Sequence, residues 1–306
     1  MYDLIILGGG PAAVSAGIYA VRKKLNVALI TDNFGGQSVL SDKIENWVGI
    51  VSISGFDLAK SIENHLRAHE GIEIIEGERA ELVEKIEGGF SIKTSTGKAF
   101  DTKTVVVATG GRHRTLDIPG EQKFAGKGIA YCSICDAPLF RNKEVVVVGG
   151  GNAGLEAAID LIPFASKITL MVRSDATKGD PQTLDQIKAS DKIEILYNAS
   201  PKEIIGDTLV SNIKYTNTIT GEEKEIKAEG VFVEIGTVPN SEMVKDLVEL
   251  DERKEIKIDC RTGRSSLLGI WAAGDVTNAL YKQNNIAVGD GARATLNAYD
   301  WLKNGK

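Results

Sequence analysis

The sequence predicts an α/β protein made of two Rossmann-like, three-layer nucleotide-binding domains, the second inserted into the first, each with an antiparallel β-meander. A glycine-rich turn lies between an apolar strand and a helix at Gly8–Ala13, and the same arrangement returns at Gly149–Gly154. Each copy ends in an apolar strand that closes on a glycine, Gly110 in the first copy and Gly236 in the second. A chain of 306 residues is long enough for two such domains.

The first copy is predicted to begin with a strand over residues 4–7, followed by the glycine turn and a helix through Ala16 and Ala20. A second strand is predicted to end at Thr31, and an antiparallel meander to begin at residue 80 and turn at Thr96–Gly97. Short apolar runs such as residues 105–107 are typical of strands that are buried on both faces of a parallel sheet. They are too short to span a bilayer.

The second copy repeats this plan, with a strand over residues 145–148, a helix through Leu155 and Ala158, and a strand that ends at Val172. The residues from about 251 onward predict a strand at Glu255–Asp259, a strand before Asp275, and a long C-terminal helix. Because this tail begins no third unit, we expect it to complete the first domain. The predicted domains are residues 1–114 with 245–306, which contain the first glycine turn, and residues 115–244, which contain the second glycine turn together with Cys132 and Cys135.

Charge and cysteine content restrict the possible partners and the compartment. The net charge of -6 argues against nucleic acid or an anionic membrane as a partner, since both require basic surfaces. The chain opens directly on a predicted strand, without the basic and apolar regions of a signal peptide. Three cysteines do not form a disulfide framework. We therefore expect a cytoplasmic protein.

The first glycine turn predicts a dinucleotide site. Gly8 permits the tight turn, Gly10 lets the backbone approach a pyrophosphate, and Ala13 allows the helix to pack closely with its N-terminus facing the anion. Asp32 lies where an acid holds a ribose hydroxyl, although an acid in a surface turn explains it nearly as well. Asp275 is a candidate for binding the ribityl and phosphate groups of a flavin.

The second glycine turn repeats the pattern at Gly149, Gly151 and Gly154. Selectivity between nicotinamide nucleotides is read at the end of the following strand, where an acid favours NADH and arginine favours the 2′-phosphate of NADPH. The chain has Arg173 and Lys178 there, which favours NADPH modestly over NADH. The alternative for both residues is an ordinary solvated surface charge.

Cys132 and Cys135 form a C-x-x-C motif between the two glycine turns, followed directly by Asp136. The motif has three interpretations: half of a zinc site, structural thiols, or a redox disulfide. A zinc site needs two further ligands, and an exposed helix face explains the pair His65 and His69 better, so we expect no metal. An acid beside the dithiol can carry the proton released as the disulfide opens, and it can also cap a helix. The motif therefore predicts electron flow from nicotinamide through flavin to the disulfide.

Motifs along essentially the whole chain resemble those of low-molecular-weight thioredoxin reductases. In order, they are G-G-G-P-A-A, F-G-G-Q, I-E-N-W, A-T-G, C-x-x-C-D, G-G-G-N and A-A-G-D. The stretches G-N-A-G-L-E-A-A-I-D-L, V-F-V-E-I-G-T-V-P-N and Y-K-Q-N-N-I-A-V-G-D-G-A-R-A are most similar to the flavoprotein subunit of bacterial alkyl hydroperoxide reductase. That subunit carries an additional N-terminal thioredoxin-like module. We therefore expect a stand-alone reductase core whose electrons pass to a separate protein.

The resemblance implies a homodimer with one FAD per chain that reduces a thioredoxin- or glutaredoxin-like protein with NAD(P)H. It implies that Cys135 faces the flavin and that Cys132 attacks the partner's disulfide. Asp136, from its position beside the two cysteines, is the third candidate catalytic residue. The FAD site is expected to comprise Gly8, Gly10, Pro11, Ala12, Ala13, Asp32, Gly36, Gln37, Asn46, Gly110, Gly274, Asp275, Lys282 and Gln283. The NAD(P) site is expected to comprise Gly149, Gly151, Asn152, Ala153, Gly154, Glu156, Arg173, Lys178 and Gly236.

One departure from the family pattern leaves the electron donor open. NADPH-preferring members carry H-R-R after the second strand and a further arginine, whereas this chain has V-R-S at Val172–Ser174 and then Lys178. A ferredoxin-dependent reductase and an NAD(P)H reductase or oxidase of a peroxide-detoxifying system are therefore alternatives. A non-catalytic flavin or nucleotide sensor is the alternative from a different class.

Overall fold

The computed structural model describes residues 1–41 and 43–305. In chain order, the strands are β1 (Tyr2–Leu7), β2 (Val27–Thr31), β3 (Ile72–Glu76), β4 (Ala80–Ile86), β5 (Gly89–Thr94), β6 (Ala99–Val107), β7 (Gly111–His113), β8 (Ile129–Ala130), β9 (Glu144–Val148), β10 (Lys167–Met171), β11 (Ile193–Leu196), β12 (Ala199–Gly206), β13 (Val210–Asn217), β14 (Glu223–Lys227), β15 (Gly230–Val233), β16 (Thr237–Pro239) and β17 (Ile270–Ala272). The helices are α1 (Pro11–Arg22), α2 (Gly55–Arg67), α3 (Ser133–Asp136), α4 (Asn152–Leu161), α5 (Pro181–Ala189) and α6 (Asn284–Asn304).

The chain divides into two compact units. The first unit comprises residues 1–39, 47–112 and 238–306, and the second comprises residues 40–46 and 113–237. The predicted boundary after residue 244 differs from the observed one after residue 237. The difference arises because Met243 and Val244 belong to the hydrophobic core of the first unit, together with Ile5 and Leu7. The connecting strands β7 and β16 pair with each other.

The sheet of the first unit combines a parallel part with an antiparallel meander. Its strand order is β3-β2-β1-β6-β5-β4, and β17 also pairs with β6. The beginning of β6 pairs antiparallel with β5, whereas Val105–Val107 pair in parallel with β17. The predicted meander is therefore present, and the C-terminal tail adds a strand to the first unit's sheet.

Helices cover one face of this parallel sheet. Leu4 and Ile6 of β1 share a core with the small residues of α1 and α6, whereas Ile5 and Leu7 face the core on the other side of the sheet. A side chain at Gly291 would collide with the carbonyl oxygen of Ala12, so the small residues are what allow α1 and α6 to approach closely.

The second unit repeats this layering around a parallel sheet of order β11-β10-β9-β15-β8. Val145 and Val147 of β9 pack against α4, and Val146 and Val148 pack against the antiparallel sheet β12-β13-β14. Wholly buried valines on both faces are expected of a central parallel strand. The predicted fold class, with two three-layer Rossmann-type units, is confirmed.

The prediction of a strand at Glu255–Asp259 is wrong. Within this segment only Ile256 forms bridges, to Leu250 and Thr277, and no ladder follows. The C-terminal helix begins at Asn284, slightly before the apolar pattern that predicted it. Across residues 1–41 and 43–305, no helix combines the length and the apolar character that a bilayer crossing needs.

Candidate active site

The first unit contains a cavity of about 780 Å³ at the carboxyl ends of its parallel strands. Its walls are formed by the first glycine turn, by the ends of β2 and β6, and by the turn before α6. Ten of the residues predicted for the flavin site line it: Gly8, Gly10, Pro11, Ala12, Asp32, Gly36, Gln37, Gly110, Gly274 and Asp275. Ligands of open α/β sheets bind at this edge.

The glycine turn is shaped as a cradle for an anion. Gly8 has a φ of +119°, and a side chain there would collide with the carbonyl group of Ala108. At Gly10, by contrast, the atom nearest to where a Cβ would lie is the Cα of Gly36 at 3.9 Å, so the missing side chain leaves open space in the cavity. Helix α1 begins at Pro11, and its N-terminal N–H groups favour a phosphate at this point.

Two acidic residues of the cavity wall differ in environment. Asp32 is exposed at the end of β2, where a ribose hydroxyl would lie. Asp275 lies in the turn after β17, and burial raises the pKa of its carboxyl, although the charge of Lys282 opposes that rise. Lys282 itself donates to the carbonyl oxygen of Thr277 and forms an ion pair of 3.1 Å with Glu255.

Four residues predicted for the flavin site lie outside the cavity wall. Ala13 is fully buried beneath the glycine turn, where its small side chain serves helix packing. Lys282 and Gln283 precede α6 next to Asn284, which does line the cavity. Asn46 is an exposed residue of the segment 40–46, which belongs to the second unit.

Glu78 and Asn240 also line the cavity, although no sequence motif pointed to them. Glu78 follows β3, and hydrogen bonds from Thr96, Lys98 and Thr94 lower the pKa of its carboxyl to about 2. The apolar and acidic residues that alternate near positions 72–76 predict strand β3, and Glu78 follows the end of that strand. Asn240 follows the apolar strand of the second copy in sequence, but the structure places it in the first unit.

The second glycine turn has the shape expected for a nucleotide site. A side chain at Gly149 would collide with the carbonyl oxygen of Glu234, and one at Gly154 with the carbonyl oxygen of Gly149. These two glycines therefore bring β15 and α4 against the turn. Gly151 has no atom within 4 Å of a Cβ position, which leaves open space before the N-terminus of α4.

The remaining residues predicted for the nicotinamide site surround this turn within the second unit. Arg173 follows β10 and is exposed, as is Lys178, whose backbone N–H donates to the carbonyl oxygen of Gly150 at 2.7 Å. Glu156 is exposed on the second turn of α4. Asn152 and Ala153 form the exposed first turn of α4, and Gly236 follows β15 with a φ of +99°.

Cys132 and Cys135 form a disulfide in the second unit. Cys132 is the N-cap of the short helix α3, and its sulfur accepts a hydrogen bond of 3.2 Å from the N–H of Cys135. Ser133 is buried between the cysteines, and its hydroxyl donates to Asp160 of α4 at 2.8 Å. Ile134 is 66% exposed, so the disulfide segment reaches the surface of its unit.

Carboxyl groups surround the buried side of the disulfide segment. Asp136 is 7% exposed, and its backbone N–H donates to the carbonyl oxygen of Cys132 at 3.0 Å. Burial raises the pKa of the Glu234 carboxyl to about 8, partly opposed by the N–H of Ser133, which donates to it. The negative charges of Asp160, Asp136 and Glu156 raise it further. Because Asp136 makes no capping hydrogen bond with its side chain, helix capping does not account for it.

The zinc interpretation gains no support. The His65 and His69 rings pack against each other at 5.5 Å in the first unit, whereas both cysteines of the motif are in the disulfide. Among residues 1–41 and 43–305, no group of three or more histidine, cysteine or acidic residues is arranged to hold a metal ion.

The two glycine turns fit adenine dinucleotides in the same way. Each places open space at its second glycine and the N-terminus of a helix beside it, which together accept a pyrophosphate. The cavity of the first unit also has the volume of a cofactor site. A family model described as "Pyridine nucleotide-disulphide oxidoreductase" matches residues 2–292.

The chain belongs to the pyridine nucleotide-disulphide oxidoreductase family. The resemblance to low-molecular-weight thioredoxin reductases is confirmed by a solved structure. Thioredoxin reductase from Streptococcus pyogenes MGAS5005 has a TM-score of 0.92 and 36% identity, over 99% of this chain and 98% of that chain.

Curated members of the family match the chain over part of their length. The F subunit of alkyl hydroperoxide reductase from Staphylococcus aureus (strain MSSA476) is 40% identical over 301 residues, which cover 98% of this chain and 59% of that protein. A protein named NADH dehydrogenase from Bacillus subtilis (strain 168) is also 40% identical, over 98% of this chain and 58% of its own length. The chain thus spans about three-fifths of the length of these relatives.

Proposed function

We propose that this protein is a thioredoxin-disulfide reductase, which transfers electrons from NAD(P)H through FAD and the Cys132–Cys135 disulfide to a thioredoxin- or glutaredoxin-like protein. The observation that carries the proposal is the placement of this disulfide in the same unit as the second glycine turn, in a chain whose first unit has a large cavity with its own glycine turn. The proposal includes a cytoplasmic homodimer.

FAD, when bound, accepts a hydride from the nicotinamide and can pass an electron pair to a disulfide. In the first unit, Gly10 and the N-terminus of α1 are proposed to hold its pyrophosphate, and Asp32 its adenosine ribose. Asp275 and the turn before α6 are proposed to hold its ribityl and phosphate groups. Gly36 and Gln37 complete the wall across from Gly10.

Reduction breaks the S–S bond, and two electrons with two protons give two thiols. Cys135 is the proposed flavin-facing sulfur, and Cys132 the sulfur that attacks the partner's disulfide as a thiolate. The attack forms a mixed disulfide between Cys132 and the partner. Cys135 then displaces the partner's sulfur and restores the internal disulfide. Asp136, buried beside Cys132, is the proposed proton carrier between these steps.

NADPH is the proposed donor, with a modest preference over NADH. Arg173 and Lys178 are exposed and lie past the end of β10, where a 2′-phosphate is read. A charge-assisted hydrogen bond contributes roughly 1.5 to 3 kcal/mol, which corresponds to about tenfold to a hundredfold in affinity. Arg173→Ala should therefore raise the Michaelis constant for NADPH far more than that for NADH. Equal effects would show that Arg173 is an ordinary surface charge.

A reductase that serves a peroxide-detoxifying system is a second candidate. The observation that favours it is the 40% identity to the F subunit of alkyl hydroperoxide reductase. In that case the thiols reduce a peroxidase or a thioredoxin-like carrier, and the chemistry at Cys132 is unchanged.

The experiment that tests the proposal follows donor oxidation under anaerobic conditions with NADPH, NADH or reduced ferredoxin, in the presence of thioredoxin, glutaredoxin or an oxidised peroxidase. The proposal expects fast turnover with NADPH and thioredoxin. If the protein turns over quickly with reduced ferredoxin and not with NADPH or NADH, ferredoxin is the electron donor. Reduction of the peroxidase without thioredoxin or glutaredoxin would favour the second candidate, and donor oxidation that forms no thiols would contradict both.

A further inference from the structure

Arg114 lies at the carboxyl edge of the second unit's sheet, outside the residues predicted for the nicotinamide site. Its backbone N–H donates to the carbonyl oxygen of Gly236 at 2.9 Å. Its Nε and Cδ lie 3.9 and 4.0 Å from the position that a Cβ of Gly236 would take. The Arg114 side chain therefore lies within van der Waals distance of the segment that follows β15.

The guanidinium of Arg114 is exposed and has no hydrogen-bond or carboxylate partner within residues 1–41 and 43–305. Arg112, two positions earlier, donates to Asn240 at 2.6 Å and pairs with Glu242 at 3.1 Å. A guanidinium presents a planar fork of N–H donors that matches the oxygens of a phosphate. Arg114 is thus free to bind an anion that is not part of the protein.

The strand order indicates which half of a dinucleotide Arg114 would meet. In the order β11-β10-β9-β15-β8, the glycine turn follows the central strand β9. Arg173 follows β10 on one side, and Gly236 follows β15 on the other. The adenosine ribose of a dinucleotide is read at the end of the strand that follows the glycine-turn helix, which here is β10. The nicotinamide half must then extend towards β15, the side of Arg114.

The negative charge of Glu156 at this edge favours a cation there. Glu156 is close enough to help raise the pKa of the Glu234 carboxyl, and both residues lie beside the glycine turn. A bound dinucleotide adds two negatively charged phosphates beside the glycine turn. The backbone N–H groups of the turn compensate one of them, so a free guanidinium on the β15 side is suited to the other.

We propose that Arg114 binds the phosphate of the nicotinamide half of the dinucleotide. Arg114 then contributes equally to the binding of NADH and NADPH, whereas Arg173 contributes to NADPH alone. The inference rests on the proposed use of a nicotinamide dinucleotide by this unit.

Calorimetric titration of the purified protein with four unreactive probes tests the assignment: NAD⁺, NADP⁺, ADP-ribose and 2′,5′-ADP. Arg114→Ala should weaken binding of NAD⁺, NADP⁺ and ADP-ribose about tenfold or more, and leave 2′,5′-ADP unchanged, because this last probe lacks the nicotinamide-side phosphate. Arg173→Ala should weaken only NADP⁺ and 2′,5′-ADP. Arg141→Ala is the matched control, since Arg141 is exposed in the same unit and contacts the Phe164 ring.

Each other outcome is decisive. Unchanged ADP-ribose affinity in Arg114→Ala overturns the inference while leaving the proposed function intact. Equal weakening of 2′,5′-ADP also overturns it, because Arg114 then acts through the fold. If the wild type binds none of the four probes, both the inference and the proposed nicotinamide donor are overturned. If Arg114→Ala does not fold, Arg114→Gln keeps much of the stem without the charge and gives the same comparison.

Discussion

Cys132 and Cys135 act after the flavin in the proposed electron path, which separates two measurable steps. We predict that Cys132→Ser and Cys135→Ser each abolish reduction of a disulfide partner and leave flavin reduction by NADPH largely intact, because the nicotinamide passes its hydride to the flavin and not to the dithiol. Stopped-flow absorbance measures the first step, and a thioredoxin-coupled assay measures the second. Cys260→Ser is the control, since Cys260 is exposed and outside the disulfide. Native partner reduction by either active-site variant would contradict the electron path.

Glu234 should make the stability of the protein depend on pH. Its pKa is raised from the ordinary 4.5 to about 8, so the folded protein binds more protons than the unfolded chain between these pH values. The free energy of unfolding therefore falls as pH rises through this window. We predict that Glu234→Gln matches the wild type near pH 5 and is more stable at pH 9, by on the order of 1 to 4 kcal/mol.

Urea unfolding of the wild type and of Glu234→Gln at both pH values checks this prediction. Glu225→Gln is the control, because Glu225 is an exposed residue of β14 in the same unit. A stability difference that is the same at pH 5 and pH 9 would show that the effect of Glu234 is steric and not protonic.

At the scale of single residues, the sequence predicted the glycines that a tight turn between a strand and a helix requires. Gly8, Gly10 and Gly149 are examples, because a tight turn between a strand and a helix has few solutions. Residues that are brought to the site by distant packing were missed. Glu234 borders the disulfide segment because β15 pairs with β8, the strand just before Cys132, and no local pattern specifies that pairing.

The proposed flavin site depends on the strand–turn–helix element at β1 and α1. We predict that Gly10→Val folds but does not retain FAD, because a Cβ at Gly10 would meet only the Cα of Gly36, at 3.9 Å, and the larger side chain would otherwise fill cavity space. The measurement is the flavin absorbance of the purified variant, together with circular dichroism. Gly289→Ala in α6 is the matched control, since a Cβ there meets no atom within 4 Å. A yellow Gly10→Val protein would show that the pyrophosphate lies elsewhere.

Among the elements, strands with continuous apolar runs were predicted well because burial on both faces leaves a distinct signature. The segment Glu255–Asp259 was predicted wrongly. Its alternating pattern is typical of a strand, but the segment forms only isolated bridges and pairs with no neighbouring strand. The end of the second unit was misplaced for a related reason. Residues 238–244 follow an apolar strand in sequence, but Met243 and Val244 find their core in the first unit.

On the scale of the whole molecule, each of the two units contains one glycine turn, and the disulfide lies in the second unit. We propose that each unit binds one nucleotide. In the proposed function, the nicotinamide and the disulfide belong to one unit, and each exchanges electrons with a flavin held by the other. The internal repeat made this division predictable from the sequence, because each copy contains a complete strand–turn–helix signal. The partner protein was not predictable in the same way, since docking depends on a surface that no sequence motif describes.

The central claim is that electrons from a nicotinamide reach the disulfide through the flavin, and an anaerobic titration that counts electrons and thiols tests it most directly. The oxidised protein is titrated with NADPH, flavin absorbance is followed, and thiols are counted after acid quenching and unfolding. We predict that each chain takes up about two electron pairs, one that bleaches the flavin and one that opens the disulfide. The disulfide should yield two thiols in addition to the thiol of Cys260. Cys135→Ser should take up one pair. Complete flavin reduction of the wild type with no new thiols would contradict the account.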